Sequence, residues 1–242
     1  HEWLQCGNES ADDKGDGIAL DKLAGATNNF IYKNSILLDR TSSGTHAQYI
    51  YRGVTPTIHE KYMTQPDVLI SEVGPRDGLQ AVKAVMATAS KLQWIDALYA
   101  AGLREIEVCS FVPATLLPQM ADAVDVVRHA LTLPGLTVMA LVPNMRGAQA
   151  AFAAGVHKIT IPVSASEAHS LANVRKTRVQ MVAEVRNIVA LRNDIAPTVK
   201  IEAGMSTAFG CTIQGEVKED DVLWLANEVI KAGVDESGLS DT

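Results

Sequence analysis

An arginine and an aspartate stand side by side at positions 76 and 77, in the loop GPRDGLQ of residues 74–80. A short apolar run, VLISEV at 68–73, leads into them and stops at Gly74 and Pro75. A permanently charged, planar guanidinium next to a carboxylate and an amide, Gln80, can hold an anionic oxygen and stabilise charge that develops on it. The lesser alternative for the pair taken alone is a loop salt bridge. Glu107 sits between Ile106 and Val108 in a second apolar run. A carboxylate there either faces a polar interior or is matched by a cation, most simply an arginine. Cys109 and Cys211 read as buried apolar side chains rather than nucleophiles. Lys158, beside His157, reads as a solvated edge. His169 reads as exposed rather than as a metal ligand, because no second histidine or carboxylate stands at helical spacing from it.

The elements that position these groups alternate with some regularity. Strand-like runs lie at 68–73, 106–108, 138–142, 158–162 and 198–203, and a sixth begins at Asp235. Between them, helical spacing of apolar residues marks 88–101, 118–131, 146–154, 175–193 and 219–232. Thr88 and Ser90 are candidate caps for the first of these, while Gly102, Gly155 and Gly233 close helices. Strands separated by helices imply a parallel sheet with crossovers, either doubly wound or a (β/α)8 barrel. A dinucleotide-binding start would carry G-x-G-x-x-G after the first strand. The loop at 74–80 lacks it, so the α/β barrel is favoured. About six of its eight strands are expected before Thr242, so the chain reads as an incomplete barrel, cut at both ends.

Catalytic groups of such barrels sit at the C-terminal ends of strands. That rule selects Arg76, Asp77 and Gln80, then Glu107, Asn144, Ser164 with Ser166, the stretch 206–211, and finally Ser240 with Asp241.

Composition narrows the classes. The chain has 242 residues, 47% hydrophobic and 20% charged, with a formal net charge of −7. No basic patch is available to meet nucleic-acid phosphates. No stretch reaches the roughly 18 apolar residues of a membrane span. Three scattered cysteines give neither a disulfide framework nor a CxxC site, which suits a reducing cytoplasmic compartment. Residues 1–62 are rich in Asn, Ser, Thr, Asp and Gly, with one strand-like patch at 35–38, and read as a loop-rich extension. Their acidic start is unlike a targeting leader. Met63 opens an ordinary enzyme start, so 63–242 is expected to be the catalytic unit and 1–62 an extension that need not belong to it.

The string SEVGPRDGLQ at 71–80 resembles the opening signature of 3-hydroxy-3-methylglutaryl-CoA lyases. IEVCSFV at 106–112, LPQM at 117–120, VPN at 142–144, FGC at 209–211 and LSDT at 239–242 are similar in order and spacing. The resemblance covers 63–242. It implies a barrel enzyme of leucine-degradation type that cleaves 3-hydroxy-3-methylglutaryl-CoA to acetyl-CoA and acetoacetate with Mg²⁺ or Mn²⁺. By the same resemblance Arg76 is the enolate-stabilising cation, Asp77 a metal ligand, Glu107 a support for Arg76, and Asp241 a general base or proton relay. Gln80, Asn144 and Ser164 are substrate supports. Dimerisation is typical of such lyases. The family's two metal-binding histidines would lie beyond Thr242, so this chain alone is expected to be inactive. Three alternatives stay open: a condensing enzyme of the same superfamily (against which Pro75 speaks), a lyase for another 3-hydroxyacyl-CoA, and a non-catalytic barrel fragment.

Overall fold

The computed structural model describes residues 29–33, 36–39 and 68–240. Its sheet has nine strands. β1 (Asn29–Lys33) and β2 (Ile36–Asp39) form an antiparallel pair. β3 (Val68–Leu69) and β4 (Ser71–Glu72) are two pieces of one run, broken at Ile70. β5 (Glu105–Ser110), β6 (Thr137–Leu141), β7 (Lys158–Ser164), β8 (Lys200–Ser206) and β9 (Glu236–Ser240) follow. From β4 to β9 the strands are parallel and neighbour one another in chain order. Helices α1 (Thr88–Ala100), α2 (Ala123–Ala130), α3 (Met145–Ala154), α4 (Glu167–Val174), α5 (Arg178–Ile195) and α6 (Glu219–Ala232) supply the crossovers. These are the six strands that the sequence pattern predicts, in a (β/α) barrel short of its full set of units.

The strand order, β3-β2-β1-β9-β8-β7-β6-β5-β4, begins and ends within residues 68–72. β1 runs parallel to β9, with Phe30 opposite Ser237, and β2 runs antiparallel to β3. Six parallel strands alone would leave two unpaired edges, each a row of unsatisfied N–H and C=O groups. The backbone of the β1–β2 pair meets both. The patch at 35–38 is therefore a strand, and it joins the same sheet. The remainder of residues 1–67, and Asp241 with Thr242, lie outside the described residues.

Successive strand residues point to opposite faces. On one face, Ile106, Val108, Ile159, Ile161, Val163, Ile201, Ala203 and Met205 pack with Ile95, Val126, Val185, Ile188, Leu225 and Val229 of the helices in one buried cluster. Each such side chain contributes about 1.5–3 kcal/mol. The other face carries Glu105, Glu107, Lys158, Thr160 and Glu202, all buried. Gly155 and Gly233 end α3 and α6 at φ +86° and +98°, a conformation open to glycine at little cost.

Three expectations fail. Lys158 is not a solvated edge. It is 2% exposed and lies 3.4 Å from Glu105, 3.5 Å from Glu202 and in contact with Glu236. Opening β7 on the polar face, it turns inward between carboxylates from three other strands. Burial would lower its pKa, but the attraction of Glu202, Glu105 and Glu236 outweighs burial and raises it. Thr88 does not cap α1, whose N-cap is Ala87; its hydroxyl donates to Asp122 at 2.7 Å instead. The segment 167–174, left without an element by the sequence pattern, is α4, capped by the Ser166 hydroxyl.

Removing one partner of a buried ion pair strands the other. Lys158→Met is expected to lower unfolding free energy in urea by about 3–5 kcal/mol at pH 7. A small loss would show that the lysine does not neutralise this layer.

Candidate active site

Residues Gly74–Gly78 form a single π-helical turn directly after β4, with Pro75 at its start. The turn holds Arg76 at 3% exposure. Its Nε and Nη2 both face Glu107 Oε2, and its Nη1 donates to Asp77 Oδ1. Burial would lower the Arg76 pKa, but Glu107 and Asp77 more than offset it, so the guanidinium stays charged. Glu107 is itself 1% exposed and its Oε1 has no partner among the described residues. Asp77 has a side chain 63% exposed. Three residues that the sequence places in the site thus form one charged cluster at the C-terminal end of β4, with Glu107 reaching it from β5.

The turn is tied to its strand by Glu72, which the sequence reading did not single out. The Glu72 Oε1 accepts from the Gly74 N–H at 2.6 Å. A Cβ on Gly74 would meet that oxygen at 2.7 Å and the Trp94 ring at 3.2 Å, so no larger residue fits without movement.

The other predicted residues are distributed around the same end. Gln80 Oε1 is buried without a partner among the described residues. The Asn144 Oδ1 accepts from the Gly147 N–H at 3.0 Å and caps α3. With Ser110, Phe111, Met120 and Arg146 it lines an open cavity of about 500 Å³. Ser164 does not join the arginine cluster. Its Oγ lies 2.8 Å from His169 Nδ1 and 2.9 Å from Ser206 Oγ. His169 is therefore only part-exposed and bonded, not a free surface residue. The sequence reads it as exposed because α4, which turns it back onto β7, has no strong pattern. Cys109 is fully buried, and burial pushes its thiol pKa well up. Cys211 is buried too, but hydrogen bonds from Ser166 and from the Gln214 and Ile213 backbone lower its pKa against the effect of burial.

A divalent ion needs several hard oxygen or imidazole donors. The arginine cluster offers the Asp77 carboxylate, and the described residues contain no group of three His, Cys, Asp or Glu that could hold a metal. They do not make a metal site by themselves. No helix among the described residues is long and apolar enough to cross a membrane.

Residues 67–242 match the model of the HMGL-like family. The chain belongs to that family. A hydroxymethylglutaryl-CoA lyase of Bacillus subtilis is 37% identical over 177 residues, 72% of this chain and 58% of the relative. The HMGL-like chain also superposes on solved structures. The hydroxymethylglutaryl-CoA lyase of Pseudomonas aeruginosa matches with a TM-score of 0.66 at 36% identity, over 70% of this chain and 56% of that one. An HMG-CoA lyase of Acinetobacter baumannii, solved in complex with coenzyme A and 3-methylmalate, gives 0.66 at 30% identity over 71% and 55%. The chain spans little more than half the length of these relatives.

The cluster's two carboxylates should respond differently to change. Arg76→Met leaves Glu107 buried and uncompensated, and should lower unfolding free energy by about 3–5 kcal/mol. Asp77→Asn, on an exposed side chain, should stay within about 0.5 kcal/mol. Urea titrations at pH 7 check both. Equal losses would mean that the ion pair to Asp77, not the one to Glu107, holds the turn.

Proposed function

We propose that this chain is the larger part of a carbon–carbon lyase that cleaves 3-hydroxy-3-methylglutaryl-CoA to acetyl-CoA and acetoacetate, the chemistry of leucine degradation. The carrying observation is the buried, doubly paired Arg76 at the C-terminal end of the sheet. A guanidinium has five N–H donors. Three face Glu107 and Asp77, which fix its plane and leave two for an oxygen of the substrate.

In the reaction the tertiary hydroxyl loses its proton and the C3–O bond becomes a carbonyl, releasing acetoacetate. The C2–C3 bond breaks, and its electron pair moves to C2 and the thioester oxygen. That enolate then takes a proton at C2 to give acetyl-CoA. Arg76 supplies fixed donors where the enolate charge develops, and no reorganisation is needed at that moment. The unpartnered Glu107 Oε1 is an acceptor for a donor hydroxyl, which a buried carboxylate oxygen needs. Asp241 follows Ser240 in sequence and is the residue proposed for the proton relay. Gln80, Asn144 and Ser164 serve as polar contacts to substrate. Mg²⁺ or Mn²⁺ is the proposed cofactor, with Asp77 giving one oxygen. The catalytic unit is 63–242, preceded by the extension 1–62, in a cytoplasmic homodimer.

The test is acetoacetate release from hydroxymethylglutaryl-CoA by the complete gene product with Mg²⁺ or Mn²⁺. Arg76→Lys keeps the charge and loses the planar fork. It should reduce kcat by about 10²–10³-fold, the effect of losing an oriented donor to an oxyanion. Wild-type protein without cleavage, or a lysine variant with unchanged kcat, would sink the assignment.

A further inference from the structure

A chain of hydroxyls at the ends of β7 and β8 determines the protonation of His169. The Ser206 Oγ donates to the Val163 carbonyl at 3.1 Å, and a carbonyl can only accept. Ser206 has one proton, so in its 2.9 Å contact with Ser164 it is the acceptor, and Ser164 donates. Ser164 likewise has one proton. In its 2.8 Å contact with His169 Nδ1 it must therefore accept, and the ring nitrogen must donate. The imidazole is thus protonated on Nδ1. Burial holds the His169 pKa below its usual value, which favours the neutral ring near pH 7. A neutral imidazole with its proton on Nδ1 carries a lone pair on Nε2, and Nε2 has no partner among the described residues. His169 is only half-buried.

The arrangement is unusual for a serine–histidine pair. In a nucleophilic dyad the serine gives its proton to the imidazole. Here the direction is opposite: the serine hydroxyls anchor the ring, and the acceptor is left at the far nitrogen. The anchor is rigid as well. Ser164 and Ser206 are register partners in the β7–β8 ladder, and α4 is capped by Ser166 through the His169 N–H at 3.1 Å. Ser166 in turn donates its hydroxyl to Gln214 Oε1 at 3.0 Å and its N–H to Thr207 Oγ1, also at 3.0 Å.

We propose that His169 is a binding residue of the site, its Nε2 accepting a hydrogen bond from an N–H or O–H donor of the acyl-CoA, with Ser164 and Ser206 as the positioning residues that aim it. The two donor sources are an amide of the pantetheine arm and the hydroxyl of the acyl group. The inference rests on the acyl-CoA reading above, but its first test does not.

Long-range ¹H–¹⁵N spectra of the full chain report which ring nitrogen carries the proton. The His169 pattern should be that of an Nδ1–H tautomer, and Ser164→Ala should return it to the Nε2–H form that free histidine favours. An Nε2–H tautomer in the unsubstituted chain overturns the inference. Coenzyme A and acetyl-CoA are then added, with binding followed independently by calorimetry. A shift of Nε2 with both ligands assigns the donor to the pantetheine arm. If neither moves it, the hydroxyl-bearing hydroxymethylglutaryl-CoA is added, and a shift with that ligand alone assigns the acyl hydroxyl. Bound ligands, all three, that leave Nε2 unmoved overturn the inference while sparing the acyl-CoA reading. Absence of any binding overturns both. In turnover by the complete gene product, His169→Phe should raise KM about fivefold, as for one lost hydrogen bond, with kcat little changed.

Discussion

Enclosing a guanidinium at the mouth of a barrel is tolerable only if carboxylates enclose it too, and much of the local structure follows from meeting that condition at Arg76. Glu107 must reach the arginine from the neighbouring strand, so β5 has to present a carboxylate on its inner face. The ladder of β5 on β6 shifts register between Glu107 and Cys109, a bulge of the kind that re-aims side chains near active sites. Asp77 must come from the same turn as the arginine. A π-turn places the two consecutive side chains around one guanidinium, and Glu72 ties that turn to the end of β4 through the Gly74 N–H. The arrangement fixes the plane of the cation before any substrate arrives.

The same condition recurs at the opposite end of the strands. Lys158 sits among Glu105, Glu202 and Glu236, brought together from β5, β8 and β9. One cation faces three carboxylates there, whereas at the mouth one cation faces two. Breaking such a pair is strongly destabilising, and replacing it whole by apolar residues is often neutral. The layer at Lys158 is therefore better understood as a device for strand register than as a source of stability. A one-residue slip of β7 would turn Lys158 out of the interior and leave its three partners stranded.

The mouth was more legible in the sequence than the floor, for a reason that lies in how charges are placed. Arg76, Asp77 and Gln80 are adjacent in the chain, next to a glycine and a proline, and form a recognisable string. Glu107 declared itself by standing in an apolar strand. Lys158 stood beside His157 at a strand start, where solvation is the ordinary outcome, and its three partners come from 44 to 78 residues away in sequence. No local pattern holds that information. The six strands and the other five helices were readable because apolar periodicity is local, and α4 was missed because its capping serine is its main signal. Thr177 with Gln180, a capping box that opens α5, was also in plain view as S/T-x-x-E/Q spacing. His169 reads as an exposed residue in the sequence because its contacts depend on Ser164 and Ser206, which spacing does not record.

The division of the sheet into an apolar outer face and a polar inner one also bears on how the protein answers to temperature. Unfolding exposes both faces. Apolar exposure raises heat capacity, by about 0.45 cal/K/mol/Å², while polar exposure lowers it by about 0.26. Barrels of this class ordinarily fill their centre with branched aliphatic residues. Here Glu105, Glu107, Lys158, Thr160 and Glu202 occupy part of that space. Each lowers the heat-capacity increment of unfolding relative to an aliphatic residue in its place. A smaller increment flattens the curve of stability against temperature. The charged centre therefore broadens the stability curve, so that the folded state holds over a wider span of warming and cooling than with a centre packed with leucine and valine.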